Sequence, residues 1–220
     1  MIRLIVFDFD GTLGDTRANI VLTMTQTLRR LGYRAASEAE IASTIGLPLE
    51  DGFAKLIPGL SREDILTCAA TYRTLFDENR KSLVPSLFPE VKETLARLKE
   101  LGLTMTVASS RLSKSLLEFL HDMGVETYFS YVLGADNVTR AKPHPEPVLK
   151  TLDALGFAPE ETLVVGDMPV DILMGRNAGA ATCAVTYGNA SREELAAAGA
   201  DWIIDRFSGL LPVVRTLTSN

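Results

Sequence analysis

The sequence predicts an α/β fold in which a parallel β-sheet carries helices on both faces. Short apolar runs alternate with longer segments of helical spacing along most of the chain, and this alternation is typical of βαβ units. Only residues 16–83 break the alternation, because every pattern there is helical. We therefore predict one α/β domain formed by residues 1–15 and 84–220, with a smaller helical domain inserted at residues 16–83.

Five apolar runs are predicted as strands of the sheet. The first, LIVF at residues 4–7, contains no polar residue and indicates a strand buried on both faces. The others are LTMTVAS (103–109), TLVVGD (162–167), ATCAVTY (181–187) and DWIID (201–205). Residues 131–134 form a further candidate for a short strand.

Segments of helical spacing join these strands. In the α/β domain they lie at residues 90–102, 112–124, 145–156 and 191–200, and several end on Gly, as helices often do. The insertion is predicted to hold four helices, at residues 16–32, 37–46, 49–57 and 61–81. Its return segment, SLVPSLFPEV, contains Pro85 and Pro89 and is a candidate hinge.

Composition excludes several classes of protein. The 220 residues carry a formal net charge of −6 and no dense block of Lys or Arg, which argues against a nucleic-acid partner or an anionic membrane surface. No apolar run reaches the length of a membrane span or of a secretion signal. Cys68 and Cys183 lie far apart in apolar surroundings, so we expect buried free thiols. These features predict a cytoplasmic protein.

The first strand ends on two acidic residues, Asp8 and Asp10. Alternate residues of a strand project to one side, so the two carboxylates would crowd together where the strand leaves the sheet. Like charges that close repel unless a cation or a shared proton lies between them. Gly11 and Thr12 follow, and they permit a sharp turn whose N–H groups suit an anion. We therefore expect a cation and an anionic substrate to meet here.

Further polar residues lie at the carboxyl ends of the later strands, where a parallel sheet forms its ligand crevice. They are Ser109 and Ser110, Lys142 in the loop AKPHPEP, and Asp167 with Asp171 four residues later. A crevice rich in carboxylates suits Mg²⁺, a hard ion that prefers oxygen ligands and often bridges to phosphate. No cluster of His and Cys suits zinc.

These residue types together predict phosphoryl transfer. Mg²⁺, Lys142 and the Ser109 hydroxyl would offset the charge of a phosphoryl group while Asp8 attacks phosphorus in line and forms an aspartyl phosphate. Asp10 would protonate the leaving oxygen and then take a proton from the hydrolytic water. The expected partner is a small phosphorylated metabolite, and the chain is expected to be a monomer or a homodimer.

Four segments in order resemble the motifs of the haloacid dehalogenase (HAD) superfamily. They are DFDGTLGDT (8–16), VASS (107–110), AKPHPEP (141–147) and VGDMPVDILMGRNAG (165–179). The resemblance spans nearly the whole chain, and it implies a Rossmann-like core with the helical insertion as a cap domain. The segments GTLGDT and IGLPLEDGFAKL (45–56) are similar to the corresponding segments of the phosphoglycolate phosphatase-like branch.

The resemblance implies a role for each core motif. Asp8 is the expected nucleophile and a metal ligand, and Asp10 is the acid/base, with its backbone carbonyl on Mg²⁺. Asp167 is a metal ligand, and Asp171 would hold metal-bound water or orient Lys142. The expected phosphate ligands are Ser109, Ser110, Lys142, Gly11 and Thr12, and the candidate substrate contacts from the cap are Arg17, Gly46 and Lys55.

Other activities stay open as alternatives. Asp10 argues against a dehalogenase, which usually has another residue there, and a phosphonatase would be expected to place a cap Lys such as Lys55 in the site. A sugar phosphomutase of the β-phosphoglucomutase type shares all four motifs, and a pyrophosphatase is a further alternative. A non-enzymatic binding module would have little reason to keep the core residues together. Two departures from the family pattern, Met168-Pro169 and Glu90, are expected to alter a loop and a hinge.

Overall fold

Residues 1–218 are described by the computed structural model, and they form a six-stranded sheet, a two-stranded sheet and ten α-helices. The strands are β1 (Leu4–Phe7), β2 (Gly14–Asp15), β3 (Ser86–Leu87), β4 (Thr104–Ala108), β5 (Tyr131–Leu133), β6 (Thr162–Gly166), β7 (Ala181–Val185) and β8 (Trp202–Ile204). The helices are α1 (Arg17–Arg30), α2 (Glu38–Ala42), α3 (Leu49–Leu56), α4 (Arg62–Asn79), α5 (Val91–Glu100), α6 (Ser113–Asp122), α7 (Glu146–Leu155), α8 (Pro169–Asn177), α9 (Arg192–Ala197) and α10 (Leu210–Thr218).

The large sheet is parallel throughout and has the order β5-β4-β1-β6-β7-β8. All four residues of β1 are buried, as expected for a strand covered on both faces. Phe7 pairs with Val107 of β4 and with Val165 of β6, so these three strands end at nearly the same level. The predicted α/β fold with a parallel sheet is confirmed, and the candidate strand at residues 131–134 is the edge strand β5.

Helices cover both faces of the large sheet. Ile5 and Phe7 of β1 point into the larger core, together with the buried faces of α5, α6 and α10. Leu4 and Val6 point to the opposite side, where they join buried residues of α7 and α8. The alternation of side chains along one central strand therefore supplies both cores of the sheet.

Helices α1–α4 lie between β2 and β3, in residues 16–83, which we call the cap segment. β2 and β3 pair antiparallel, with Gly14 opposite Leu87, so the outgoing and returning chains are joined side by side. The predicted helix at residues 37–46 ends instead at Ala42, and the chain turns at Gly46, whose φ is +92°. The division of the chain into two domains stays a prediction, and residues 219–220 of its larger part lie outside the described residues.

The return from the cap segment contains one residue in a left-handed conformation. Glu90, where the family pattern often has Gly, has a φ of +66° at the N-cap of α5, and it is the one non-Gly residue with positive φ among residues 1–218. This conformation costs an L-residue about 1–2 kcal/mol relative to Gly. The chain therefore keeps the turn that Gly favours and accepts backbone strain.

Two further observations concern the predicted class of protein. Both cysteines of the chain, Cys68 and Cys183, are buried and free, as the sequence predicts. Within residues 1–218, none of the helices combines the length and the apolar character needed to cross a lipid bilayer.

Candidate active site

Three adjacent strands bring predicted site residues together. Asp8 follows β1, Ser109 follows β4, and Asp167 follows β6. Because these strands end at nearly the same level, the three side chains meet at the carboxyl edge of the sheet. Lys142 reaches the same place from the loop between β5 and α7, and all four of these polar residues are buried.

Lys142 is held between two carboxylates. Its Nζ donates a hydrogen bond to Asp8 Oδ1 at 2.6 Å and another to Asp171 Oδ1 at 2.7 Å. The three side chains are between 1% and 4% exposed, so water screens these ion pairs little. Burial lowers the pKa of Lys142, but the charges of Asp171 and Asp8 outweigh burial and raise the pKa above its usual value. Of the two roles allowed for Asp171, the contact with Lys142 is the one present.

Three carboxylates share this space with one ammonium group. Asp8, Asp167 and Asp171 each offer an oxygen within 4.8 Å of the others. Burial raises the pKa of Asp8 well above its usual value, although Lys142 opposes the shift. Burial, followed by the charge of Asp171, raises the pKa of Asp167 to about 7. The one ammonium group does not balance the three carboxylates, and a further cation would favour the ionised form of the carboxyl groups.

The donor set fits Mg²⁺, because carboxylate oxygens are the hard ligands that this ion prefers. Asp8 and Asp167 are the two predicted ligands whose carboxylates belong to the cluster, and Asp171 is its third member. The Asp10 carboxylate is not part of the cluster, and the prediction for Asp10 concerned its backbone carbonyl. These acids could therefore hold the ion that the sequence predicts.

Asp167 is fixed in place by three hydrogen bonds. The Thr12 hydroxyl donates to Oδ1 at 3.2 Å, and the backbone N and Nδ2 of Asn189 donate to Oδ2 at 2.7 and 2.9 Å. Gly11 lies against the same carboxylate, where a Cβ would overlap both Asp167 and Asn189. The N–H groups of Gly11 and Thr12 donate to carbonyls of their own loop. In the structure, these two predicted phosphate ligands support Asp167.

Asp10 is paired with an arginine that the sequence analysis did not identify. Arg111 donates to Asp10 from Nη2 at 2.6 Å and from Nε at 3.2 Å, and the Thr16 hydroxyl donates to Asp10 at 2.6 Å. The Arg111 guanidinium lies 4.7 Å from the ring centroids of both Phe76 and Phe119. Burial opposes the charge of Arg111, but the Asp10 carboxylate outweighs burial and raises the Arg111 pKa. The acid/base candidate is thus held as part of a largely buried ion pair, in which the two side chains are 13% and 10% exposed.

The two serines after β4 have different contacts. Ser109 Oγ accepts a hydrogen bond from the Arg111 backbone N at 3.1 Å, which leaves its hydroxyl hydrogen for another acceptor. Ser110 Oγ donates to the Gly46 carbonyl at 2.6 Å and so joins the sheet to the cap segment. Met168, one of the departures from the family pattern, also packs against Gly46. Of the two serines, Ser109 is therefore the one whose hydroxyl hydrogen has no hydrogen bond to the described residues.

The site opens into a cavity of about 900 Å³ that the cap segment covers. Core residues that line it include Asp8, Asp10, Ser109 and Arg111, and cap residues that line it include Gly46, Tyr72, Phe76 and Arg80. Two of the candidate cap contacts do not line this cavity. Arg17 lies 3.3 Å from Glu38, and Lys55 donates to the Ser43 carbonyl. Of these three candidates from the cap, Gly46 is the one that lines the cavity.

The sequence analysis missed the residues that hold the acids in place. Arg111 stands directly after the motif VASS, and Asn189 lies beyond the predicted strand at residues 181–187. Their positions near strand ends were the available signal. Thr16, the last residue of the first motif, gave no indication of its contact with Asp10.

Comparisons with known proteins identify the family. A family model described as haloacid dehalogenase-like hydrolase matches residues 5–185. IndB of Dickeya dadantii, named a probable phosphatase, is 38% identical over 97% of this chain and 94% of its own length. A pyrophosphatase, PpaX of Bacillus mycoides, is 34% identical over 97% of both chains. A phosphoglycolate phosphatase of Photorhabdus laumondii is 33% identical over 97% of this chain and 92% of its own.

A solved structure agrees with these sequence comparisons. The crystal structure described as a haloacid dehalogenase-like hydrolase from Bacteroides fragilis superposes with a TM-score of 0.88 at 30% identity. The match covers 96% of this chain and 100% of that one. The four motifs and the chain-long similarity therefore place this protein in the haloacid dehalogenase-like hydrolase family, as one of its phosphatases.

Proposed function

We propose that this phosphatase is Mg²⁺-dependent and hydrolyses small phosphomonoesters, with a phosphoglycolate-like small acid as the first candidate substrate. One observation carries the proposal. The buried group of Asp8, Lys142, Asp167 and Asp171 combines excess negative charge with a positioned ammonium, and Asp8 lines a cavity under the cap segment. The relative named phosphoglycolate phosphatase supports the choice of substrate.

The proposed reaction has two steps on Asp8. Its carboxylate attacks phosphorus, a new bond forms between Asp8 and phosphorus, and the bond from phosphorus to the leaving oxygen breaks. Asp10 gives a proton to that oxygen, so the alcohol leaves neutral and Asp8 carries the phosphoryl group. Asp10 then takes a proton from water, which attacks phosphorus and releases inorganic phosphate with Asp8 restored. Lys142 and the Ser109 hydroxyl bind the phosphoryl oxygens throughout.

The metal ligands we propose are Asp8, Asp167 and the backbone carbonyl of Asp10. Mg²⁺, when bound, would offset the charge of the phosphoryl oxygens. Thr12 and Asn189 keep the Asp167 carboxylate oriented, which fixes one wall of the site. The cap segment would exclude water and contact the leaving group, and the hydrogen bond from Ser110 to Gly46 holds the two parts together.

Pyrophosphatase activity is a second candidate, because PpaX of Bacillus mycoides is as similar to this chain as the phosphoglycolate phosphatase. A phosphonatase has less support, since the Lys55 ammonium donates to the Ser43 carbonyl. A mutase would need a phosphorylated primer and would retain the phosphoryl group. A cytoplasmic location and a monomeric or dimeric state stay predictions.

The test is phosphate release from phosphoglycolate, sugar phosphates, nucleotides, pyrophosphate and phosphonoacetaldehyde, with and without Mg²⁺. We expect metal-dependent release from small esters without a primer, and loss of release in Asp8→Asn. Asp153→Asn, the same change at an exposed position of α7, is the matched control and should leave release unchanged. Release that persists in Asp8→Asn would contradict the aspartyl-phosphate mechanism, and no release from any substrate would contradict the hydrolase function.

A further inference from the structure

The proposed reaction assigns no task to part of the Arg111 guanidinium. Nε and Nη2 are paired side-on with the two oxygens of Asp10, at 3.2 and 2.6 Å. Nη1 donates to Ser115 Oγ at 3.2 Å. A guanidinium carries five N–H bonds, and these three contacts use one each. One N–H bond on each terminal nitrogen is therefore left for another acceptor.

Two aromatic rings fix the plane of this group. The guanidinium carbon lies 4.7 Å from the ring centroid of Phe76, in α4, and 4.7 Å from that of Phe119, in α6. The Arg111 side chain is held between the cap segment and the core, and it is only 10% exposed. A planar cation held in this way presents its remaining N–H bonds in fixed directions, which suits the oxygens of a carboxylate or a phosphoryl group.

Other cations of the cavity wall are less suited to bind a ligand. Arg73 lies 2.7 Å from Glu50, and Arg80 lies 2.7 Å from Glu118, so each has an acidic partner outside the proposed machinery. Lys81 and Lys114 are exposed, and an exposed ammonium gains less from binding an anion than a desolvated one does. Arg111 is only 10% exposed, lines the cavity and contacts the proposed acid/base directly.

We propose that Arg111 binds a second anionic group on the leaving group of the substrate and so determines the substrate class. The inference rests on the function proposed above, in which Asp10 protonates the leaving oxygen. Because Arg111 is paired with that carboxylate, an anion one or two bonds beyond the leaving oxygen would reach its two remaining N–H bonds. The favoured substrates are compounds such as phosphoglycolate and pyrophosphate, whose second anion is close to the bond that breaks.

The experiment compares two substrates that differ in this anion, phosphoglycolate and ethyl phosphate. kcat/KM is measured for both in the native protein and in Arg111→Met, Arg111→Lys and Arg97→Met, the last an exposed arginine of α5 that serves as the control. The ratio of the two kcat/KM values isolates the proposed contact, because any effect of Arg111 on Asp10 changes both substrates alike. Intrinsic differences between the leaving groups cancel when variants are compared.

We expect Arg111→Met to lower the ratio of kcat/KM for phosphoglycolate to kcat/KM for ethyl phosphate by about 10- to 100-fold. This range corresponds to the usual contribution of charge-assisted hydrogen bonds. Arg111→Lys should lower this ratio less than Arg111→Met does, because an ammonium keeps the positive charge but lacks the paired N–H bonds of a guanidinium. Arg97→Met should leave the ratio unchanged. An equal loss for both substrates in Arg111→Met would overturn the proposal and limit Arg111 to positioning Asp10.

Binding separates failure of this inference from failure of the proposed function. Dissociation constants for both compounds are measured by calorimetry with Asp8→Asn and with Asp8→Asn combined with Arg111→Met, so that no turnover is required. Preference for phosphoglycolate that depends on Arg111 supports the inference even if the native protein hydrolyses neither ester. Equal binding of both compounds would overturn the inference, whether or not phosphate release is observed.

Discussion

Replacing Lys142 with Met is expected to destabilise the metal-free protein by about 3–5 kcal/mol, the range found when one partner of a buried ion pair is removed. The ammonium lies 2.6 Å from Asp8 and 2.7 Å from Asp171, and the three side chains are at most 4% exposed. Without it, two buried carboxylates face each other with no positive charge between them. For a chain of this size the loss corresponds to a fall in Tm of roughly 6–20 °C.

The destabilisation should increase with pH. Lys142 lowers the pKa of Asp8 against the effect of burial, so its removal raises that pKa further. A carboxyl whose folded-state pKa is raised binds its proton more tightly than the unfolded chain does, and its folded form therefore loses stability as pH rises. Protonation at lower pH relieves the repulsion between the carboxylates, so the loss of stability is expected to be smaller at pH 5.5 than at pH 8.

Thermal unfolding in a chelator at pH 5.5 and pH 8 measures both effects. Lys150→Met, which removes an exposed lysine bonded to the Asn137 carbonyl, is the matched control and should change Tm little. The reasoning is refuted if Lys142→Met unfolds at the native temperature at pH 8, or if its loss of Tm is larger at pH 5.5. Phosphate release should disappear in Lys142→Met in either case, because the same ammonium is the proposed phosphoryl ligand.

Three further predictions follow from the site and its supports. Burial and Asp171 raise the pKa of Asp167 to about 7, so the affinity for Mg²⁺ should increase with pH across this range, by up to about tenfold per pH unit for each proton released. Calorimetric titrations at pH 6, 7 and 8 would measure this increase. Gly11→Ala should destabilise the protein by about 2 kcal/mol or more in denaturant unfolding and abolish phosphate release, because φ is +93° and the new Cβ would overlap the Asp167 carboxylate. Glu90→Gly should stabilise the protein by up to about 1 kcal/mol in the same unfolding assay, since it removes a left-handed L-residue at a small cost in unfolded-chain entropy.

Each of these predictions has its own control. Mg²⁺ affinity that is the same at pH 6 and pH 8 would contradict the raised pKa of Asp167. Gly59→Ala has a similar φ, +91°, but no atom within 4 Å of the new Cβ, so it separates backbone strain from the clash at Gly11. Glu93→Gly, inside α5, should destabilise the protein where Glu90→Gly stabilises it, because Gly is unfavourable within a helix.

Much of the fold could be predicted because its signals are local. The run LIVF at residues 4–7 and the later apolar runs mark strands, and helical spacing between them implies parallel pairing. Two helices, α8 and α10, were not predicted, although Pro169 at the start of α8 is a recognised signal for a helix N-terminus. The helix predicted at residues 37–46 was too long, since the helix ends at Ala42 and the chain turns at Gly46, whose carbonyl accepts a hydrogen bond from Ser110, far away in the sequence.

The sequence by itself determined the chemical groups of the site and the edge of the sheet where they meet. Asp8, Ser109 and Asp167 each follow a strand directly, and parallel strands place their carboxyl ends at one edge, so spacing along the chain was enough. It could not assign the partners of these groups. Pairs such as Arg111 with Asp10, Asn189 with Asp167, and Ser110 with Gly46 join residues 101, 22 and 64 positions apart.

Such contacts depend on side-chain packing in three dimensions. The cap segment must lie over the sheet before Phe76 can cover the Arg111 guanidinium and before Gly46 can accept from Ser110. Neither contact produces a periodic pattern in the sequence, because each one involves a single pair of residues. The tertiary structure therefore decided how the acids are held and which cap candidates reach the cavity.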